Sequence, residues 1–593
     1  MHSSYILSLI ILGLGFIIYY MFFKKRKNVK ANLFIAIATC VIIVAVLVYP
    51  LLEYNNVFIK CFAAFIYGIR CMGMGQDLNL LSKVDLATVK GEIYFASMFI
   101  LFIILPLLTA TFVLTFLERI ISRFRLFASK NKKLCVFSEI NEKTLLLAQE
   151  LSKNKNNKII LIKTNTKPNI PFNSIKINKK LTEIKFDSKS DITFYMISQD
   201  EEKNLTEALE LISMYKNREK TKIYVINENE ETPVILDSTD KGKITVEIIN
   251  EKERAVFNLL NNKPLFLNTI DNTISILIVG CGNLGKEFLR DSLWCSMMVG
   301  YSLEMLIIDK DADRIKESIK TDYPELLDNY NIEFLNADIK SSKVLNILKE
   351  RRNINYILVS MDNDDKNIDT AIMLRRFFIR NFNRKPIINM WIENELKQEE
   401  ILKLTNEKGN EYEFNAFGCI KDLYYENNII NSELEKLAIQ VNLAYDPDDK
   451  DLHNYNLREY NKRSSRANAL HIKYKMYSIL KDKFTDDMRI NQELFKELYT
   501  PEVEEALIRK EHDRWMAYTR SIGYVYVSTK DVKKYYDTNK HYIHYLARMH
   551  PALVDFEELD EVSKELSKII GKDAKLKEKD KFVVRSIVEK FKF

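Results

Sequence analysis

A chain of 593 residues has room for about three or four domains, and its 47% hydrophobic and 28% charged residues allow ordinary cores. Its net charge of only +7, without a basic tract interleaved with aromatic residues, argues against a nucleic-acid partner. The seven cysteines form no Cys-x-x-Cys pair and no set with histidine spacing, which argues against a zinc site and a disulfide framework. No metal is therefore expected.

Three apolar segments near the N-terminus are long enough to cross a membrane. Tyr5–Phe23, Ala31–Tyr54 and Ile93–Leu117 are each about 20 residues or longer and carry no charge in their interiors. We interpret the first as a membrane helix and not a cleaved signal peptide, because no basic residue precedes it and KKRK follows it without a cleavage site. Residues 1–126 are thus predicted to form a transmembrane domain with three helices.

Basic clusters predict the orientation of these helices. The sequence KKRKNVK spans Lys24–Lys30, and Arg119, Arg123 and Arg125 follow the third segment. Positive charge favours the cytoplasmic side, which places the N-terminus and the Asn55–Glu92 loop outside. We expect a multi-pass protein of the cell inner membrane, in contact with lipid, whose soluble part is cytoplasmic.

The loop between the second and third segments contains an apolar stretch too short to span, Val57–Ile69, which suits a re-entrant or interfacial helix. The sequence CMGMGQD follows at Cys71–Asp77 and loosely resembles a potassium-channel filter, in which backbone carbonyls replace the hydration shell of the ion. Gly73 and Gly75 keep the filter spacing, whereas the filter threonine and tyrosine are replaced and one residue is added. The two interpretations are a pore segment and an outer-face helix with a glycine turn.

Residues 127–270 predict a first Rossmann-like domain of the α/β class. Strand-like runs alternate with helical ones, which indicates a parallel sheet. The first strand–helix turn, Ser138–Asn141, contains no glycine, so its backbone is poorly suited to approach a pyrophosphate. We interpret this domain as degenerate and structural.

Residues 271–440 contain the nucleotide-binding pattern G-x-G-x-x-G between a strand, Ile274–Val279, and a helix starting at Lys286. Gly280 would make the tight turn, Gly282 would admit a phosphate, and Gly285 would let the helix pack on the strand. The helix N-terminus, which begins beside Asn283 and Leu284, offers free N–H groups to an anion.

The next strand ends at Asp309, which suits the hydroxyls of an adenosine ribose. The region resembles the nucleotide-binding domains of Trk potassium-transport regulators and of RCK-type potassium-channel gating rings. The resemblance implies NAD(H) or another adenine nucleotide as cofactor, with Asp338 near the base and Asp362 and Asn367 near the cleft mouth. The alternatives are strand-end and helix-capping side chains, or a fold whose ligand site has lapsed.

No residue pattern in the chain predicts catalysis. There is no Ser–His–Asp grouping, no paired carboxylate motif, and no substrate domain with a proton donor beside the predicted cofactor. We therefore expect a protein that is not an enzyme.

Residues 441–593 contain two stretches rich in histidine and aromatic residues, Glu511–Gly523 and His550–Leu559. The pattern His-x-x-Trp, then Gly-aromatic, then His-Pro-x-Leu-Val resembles the RyR domain, the repeat of ryanodine receptors that also occurs in bacteria. The pattern is carried by His512, Trp515, Gly523, Tyr524, His550, Pro551, Leu553 and Val554, with Arg466–His471 similar to the preceding helix. We predict a small, mainly helical RyR domain.

This resemblance implies a nucleotide-derived small molecule as ligand, with arginines pairing to phosphates and an aromatic ring stacking on a base. The alternative for Trp515 and His512 is an anchoring role in the domain core. The residues predicted to bind the ligand are Arg463, Arg466, His471, His512, Arg514, Trp515, Tyr518, Arg520 and His550.

The combination predicts a membrane effector that senses a nucleotide messenger and opens or damages the bilayer, as suspected for bacterial proteins of this kind in conflict with phage. The alternative is an RCK-type potassium channel or transport regulator gated by NAD(H) or ATP, with Gly73 and Gly75 in the pore. In both cases we expect a homo-oligomer, because three helices alone cannot line a sizeable pore.

Overall fold

The computed structural model describes residues 29–75, 77–127, 132–162, 170, 172–177, 179–184, 186, 190–406, 413–424 and 433–593. The chain divides into two compact units, residues 1–129 and residues 130–593. The first predicted membrane segment, Tyr5–Phe23, lies outside the described residues.

Two described helices of the first unit are long and apolar enough to cross a membrane, over Leu33–Leu51 and Val89–Leu114. They correspond to the second and third predicted segments. The elements of this unit are α1 (Val29–Val48), a 3-10 turn (Tyr49–Leu51), α2 (Val57–Cys71), a 3-10 helix (Leu78–Lys83) and α3 (Val89–Phe127).

Helices α1 and α3 pack against each other in opposite directions. At one end the hydroxyl of Tyr94 donates to the carbonyl of Leu47, and towards the other end the rings of Phe34 and Phe112 lie 6.4 Å apart. Helix α2 begins at Asn56, whose side chain accepts hydrogen bonds from the first free N–H groups. Its buried face packs on both long helices, and its other face is apolar and exposed.

The second unit opens with a six-stranded parallel sheet in the order β3-β2-β1-β4-β5-β6. This is the Rossmann strand order, so the predicted first α/β domain is present. Its elements are β1 (Lys133–Phe137), α4 (Glu142–Ser152), β2 (Asn157–Ile162), β3 (Ser174–Ile177), β4 (Ile192–Met196), α5 (Glu201–Tyr215), β5 (Thr221–Ile226), α6 (Thr232–Ser238), β6 (Thr245–Ile249) and α7 (Glu251–Asn262).

A second parallel sheet repeats this order as β9-β8-β7-β10-β11-β12. Its central strands are buried on both faces, which explains their continuous apolar sequence. The elements are β7 (Thr273–Val279), α8 (Asn283–Cys295), β8 (Ser302–Asp309), α9 (Ala312–Asp322), α10 (Leu326–Asn329), β9 (Ile332–Asn336), α11 (Ser342–Lys349), β10 (Tyr356–Val359), α12 (Asp364–Phe382), β11 (Ile387–Trp391), α13 (Glu395–Asn406), β12 (Phe414–Phe417) and α14 (Ile420–Leu423).

The remaining residues form the C-terminal helices, which share a core with the second sheet. The ring of Tyr518 meets Trp294 edge-on at 6.2 Å, and the hydroxyl of Tyr474 donates to the carbonyl of Leu260 at 2.9 Å. The elements are α15 (Glu433–Tyr445), α16 (His453–Leu457), α17 (Glu459–Leu480), α18 (Met488–Glu497), α19 (Pro501–Ser521), β13 (Val525–Tyr526), α20 (Thr529–Asn539), β14 (Met549–His550), α21 (Leu559–Ile570) and α22 (Leu576–Glu589).

Candidate ligand-binding site

The glycine loop between β7 and α8 has the backbone geometry of a phosphate-binding turn. Gly280 has φ +85°, and a Cβ atom there would lie 2.8 Å from the backbone nitrogen of Met361. A Cβ on Gly285 would lie 2.5 Å from the carbonyl oxygen of Gly280, whereas one on Gly282 would meet nothing within 4 Å. The loop therefore leaves open space at Gly282, the position where a phosphate would approach.

The predicted ribose-binding carboxylate is engaged with the loop itself. Asp309 accepts hydrogen bonds from the N–H of Cys281 at 2.7 Å and of Asp311 at 2.9 Å. On the side of α8 that faces the first sheet, Asn283 and Lys286 line a groove of about 500 Å³ together with several glutamates. Leu284 is buried below the loop. The groove is thus polar and of mixed charge, because Lys252, Arg290 and Arg548 also line it.

The other predicted residues of this domain lie at strand ends. Asp338 is exposed and pairs with Lys310 at 3.0 Å, and Asp362 is exposed with Lys366 at 3.6 Å. Asn367 is buried and donates to the carbonyl of Trp391 at 2.8 Å while its own oxygen accepts from the N–H of Met361. Asn367 therefore holds the ends of β10 and β11 together.

Substitutions at two of these glycines distinguish a structural role of the loop from a role in nucleotide binding. Gly280→Ala is expected to lower the free energy of unfolding by about 1–3 kcal/mol, because it forces a side chain into a left-handed backbone conformation. Gly282→Glu is expected to leave thermal unfolding unchanged, since its position is open, and to abolish binding of NAD(H) at the loop. Unchanged NAD(H) affinity in Gly282→Glu, measured by calorimetry, would show that the loop is not a nucleotide site.

A larger cavity, of about 720 Å³, lies among the C-terminal helices; we call it the C-terminal cavity. Its wall combines aromatic rings with cationic side chains, the combination that suits an anionic ligand with a flat ring. The aromatic and histidine side chains are Tyr460, His512, Trp515, His541, Tyr542, Tyr545 and His550, the cations are Arg458, Lys572, Lys575 and Lys579, and the carboxylates are Asp446, Asp573 and Asp580.

Trp515 is held in this cavity by two histidines. The ring of His550 meets it edge-on at 4.8 Å, and the ring of His512 lies beside it at 5.7 Å. The Nε2–H of His512 donates to the carbonyl of Val554 at 2.8 Å, and its Nδ1 lies 3.4 Å from a carboxylate oxygen of Asp580. These contacts fix the indole while leaving it partly exposed to the cavity.

The three histidines of the cavity differ in protonation. Burial alone would lower the pKa of His512, but the Asp580 carboxylate raises it above its ordinary value. Burial holds the pKa of His550 well below its ordinary value, and burial together with Arg458 lowers the pKa of His541 to about 4. At neutral pH the protonated form is therefore favoured at His512, whereas His541 and His550 are neutral.

Most of the predicted phosphate-binding arginines are in ion pairs inside the protein. Arg514 is fully buried against Glu511, Arg466 contacts the carboxylates of Glu247, Glu435 and Glu459, Arg520 pairs with Glu325, and His471 is buried in the core. Tyr518 and Arg463 line a different cavity, between the C-terminal helices and the two sheets. Of the predicted ligand residues, the structure brings His512, Trp515 and His550 together on the wall of the C-terminal cavity.

The cations of the C-terminal cavity were missed by sequence reasoning. Lys572, Lys575 and Lys579 stand in the run GKDAKLKEKD, which resembles an ordinary solvated charge run. Arg458 directly precedes α17 and belongs to none of the recognised patterns. The one signal that singles out these lysines is their place shortly after the His-Pro stretch of the RyR-like pattern.

The two sheets define the class of the second unit: tandem α/β domains with Rossmann strand order, followed by helices. No protein-family model matches the chain, and no curated protein matches it. Among solved structures, a crystal structure of a GsuK mutant is similar, with 12% sequence identity and a TM-score of 0.32 over 68% of this chain and 97% of that chain. The RyR-type domain stays a prediction.

Proposed function

We propose that the protein is a membrane pore gated by a nucleotide-type ligand. The observation that carries the proposal is the depth of α2. A Cβ atom on Gly68 would lie 2.6 Å from the carbonyl oxygen of Val41, and the ring of Tyr67 lies 6.1 Å from that of Phe102. Val41 and Phe102 are near the middle of the two apolar spans, which supports a re-entrant α2 that ends at mid-membrane level.

The backbone that follows α2 is irregular at this depth. The N–H groups of Gly73 and Gly75 both donate to the carbonyl of Arg70 at 3.0 Å, and the N–H of Asp77 donates to the hydroxyl of Tyr67 at 2.8 Å. Irregular backbone inside a membrane is tolerated only where it is buried in protein or lines water. Because Gly73 and Met74 are exposed in the single chain, this segment favours a water-filled centre surrounded by several copies.

Arg70 supports the same arrangement. It ends α2 with an exposed side chain at the level of the turn. A charged side chain is costly against lipid, and such residues face a bundle interior or a water-filled cavity. A homo-oligomer with α2 directed towards its axis would give Arg70 an aqueous environment.

In this proposal the gating ligand binds in the C-terminal cavity. A nucleotide base would stack on Trp515, and its phosphates would pair with Lys575 and Lys579. A ligand opens the pore only if it binds the open state more tightly than the closed state.

Trp515→Ala is expected to weaken ligand binding by about 1–3 kcal/mol, roughly five- to 150-fold, because one stacked base is lost. Lys579→Ala should weaken binding of phosphorylated ligands alone, and Lys590, exposed directly after α22, provides the matched lysine control. The measurement is potassium efflux from liposomes containing the full chain, titrated with adenosine, AMP, ATP and NAD+. A wild-type dose response in Trp515→Ala would show that the C-terminal cavity does not bind the gating ligand.

The same liposomes distinguish the two kinds of pore. Potassium efflux with retention of a trapped fluorescent dye and without sodium efflux would indicate a potassium-selective channel, the alternative predicted from the sequence. Release of the dye would indicate a membrane-disrupting effector, for which a role against phage stays a prediction. No nucleotide-triggered flux of either kind would overturn the proposed function.

A further inference from the structure

A second cavity, of about 450 Å³, lies where the two α/β domains meet the C-terminal helices; we call it the junction cavity. Its wall takes Val234 from α6, Phe257 from α7, Asp291 from α8, Arg463 from α17 and Tyr518 from α19. A molecule in this space would contact all three parts of the second unit at once.

Four polar atoms on this wall have no hydrogen-bond partner among the described residues: the hydroxyl of Tyr518, Oδ2 of Asp291, and Nε of Arg290 and of Arg463. Tyr518 and Asp291 are only 3% and 6% exposed. The other carboxylate oxygen of Asp291 accepts from the indole N–H of Trp294 at 3.0 Å. Buried polar groups are normally satisfied, and leaving them without a partner costs stability. Their position on a cavity wall points to a missing hydrogen-bonding ligand.

The junction cavity and the C-terminal cavity share a wall. Arg458, Tyr460, His541 and Tyr545 line both of them. The guanidinium of Arg458 lies over the ring of Tyr545 at 3.9 Å, and among the described residues it has no ion pair. An anionic group at the boundary of the two cavities would give this arginine a partner.

The two cavities differ in charge. Among the described residues, the C-terminal cavity is lined by four cationic side chains and three carboxylates, whereas the junction cavity is lined by four arginines and six carboxylates, among them Glu230, Glu253 and Glu287. Phosphates therefore suit the C-terminal side and the boundary, and a head that donates hydrogen bonds suits the junction side. Each volume lies within the roughly 300–1,000 Å³ of small-ligand sites. The combined volume is therefore larger than one nucleotide head requires.

We propose that the two cavities form one bipartite site for a two-headed nucleotide, in which two heterocycles are joined through phosphates. One head stacks on Trp515, the phosphates pair with Arg458 and Lys579, and the other head donates hydrogen bonds to Tyr518 and Asp291. This inference rests on the proposed function and names the class of its ligand. Such a ligand would cross-link the C-terminal helices to α8, the helix that follows the glycine loop.

The test compares a single-headed probe, AMP, with a two-headed probe, NAD+, by calorimetry on the full chain in detergent. All variants carry Gly282→Glu, so that binding at the glycine loop does not contribute. NAD+ is expected to bind about tenfold or more tightly than AMP. Tyr518→Phe and Asp291→Asn should each remove most of this advantage while AMP affinity stays unchanged, and Tyr356→Phe, which removes a buried hydroxyl outside both cavities, should leave the advantage intact.

The outcomes separate the inference from the proposed function. Equal affinities for AMP and NAD+, or an unchanged advantage in both Tyr518→Phe and Asp291→Asn, would overturn the bipartite site. Flux triggered by AMP and lost in Trp515→Ala would leave the gated pore standing in that case. Binding of neither probe would overturn the bipartite site, and the flux titration would decide the pore independently.

Discussion

Arg514→Ala is expected to lower the free energy of unfolding by about 3–5 kcal/mol, because it leaves a buried carboxylate without its main partner. Arg514 and Glu511 both have 0% exposed side chains. The guanidinium donates to both oxygens of Glu511, at 3.0 Å and 2.9 Å, and Lys475 adds a third contact at 2.7 Å. The residue predicted to bind phosphate is therefore expected to act on stability.

The measurement is denaturant unfolding of the full chain in detergent, with Arg489→Ala as control, since Arg489 has a 75% exposed side chain.

A second measurement is the dependence of the free energy of unfolding on pH. Burial alone would raise the pKa of Glu511, but Arg514 and Lys475 lower it to about 2. The pKa of Glu511 in the folded protein lies below its value in the unfolded chain. The contribution of its ion pairs to the free energy of unfolding is therefore complete above the unfolded pKa and is lost as the pH falls towards the folded pKa. Wild-type stability in Arg514→Ala together with lost ligand binding would show that Arg514 binds the ligand, as the sequence predicted.

Gly68→Val is expected to abolish nucleotide-triggered potassium efflux. The first carbon of any side chain at this position would lie 2.6 Å from the carbonyl oxygen of Val41, a distance that real contacts do not reach. Helix α2 would be pushed away from α1, and the turn at Gly73 and Gly75 that follows α2 would be displaced with it.

Gly73→Ala is the matched control for this substitution. Its added carbon would have the Arg70 carbonyl oxygen as its nearest neighbour, at an ordinary contact distance of 3.8 Å. Helix packing should therefore survive, and any change in ion selectivity would report on the pore lining itself. The assay is efflux from liposomes containing equal amounts of reconstituted protein, and wild-type efflux in Gly68→Val would contradict the re-entrant pore.

The sequence by itself determined the α/β character of the second unit and the geometry of its glycine loop. Both are local properties: buried parallel strands require continuous apolar runs, and a tight strand–helix turn requires a glycine such as Gly280 with positive φ. The two described helices that are long and apolar enough to cross a membrane were predictable for the same reason, since their length and composition are properties of single segments. The helix at Val57–Ile69 was predicted to be either re-entrant or interfacial, and only the tertiary structure revealed the contact of Gly68 with α1 on which the re-entrant proposal rests.

Only the tertiary structure decided which predicted site residues face a cavity. Helical spacing placed Arg514 and Trp515 on different faces of α19 but contained no information on what covers each face. Helical spacing sets Glu511 beside Arg514, and packing buried this pair and brought Lys475 of α17 to it. Packing also brought His550 and Lys579 to the same cavity as Trp515. Ion pairs and cavities arise where distant helices meet, and a charged residue has the same pattern in the sequence whether its partner is a carboxylate or a ligand.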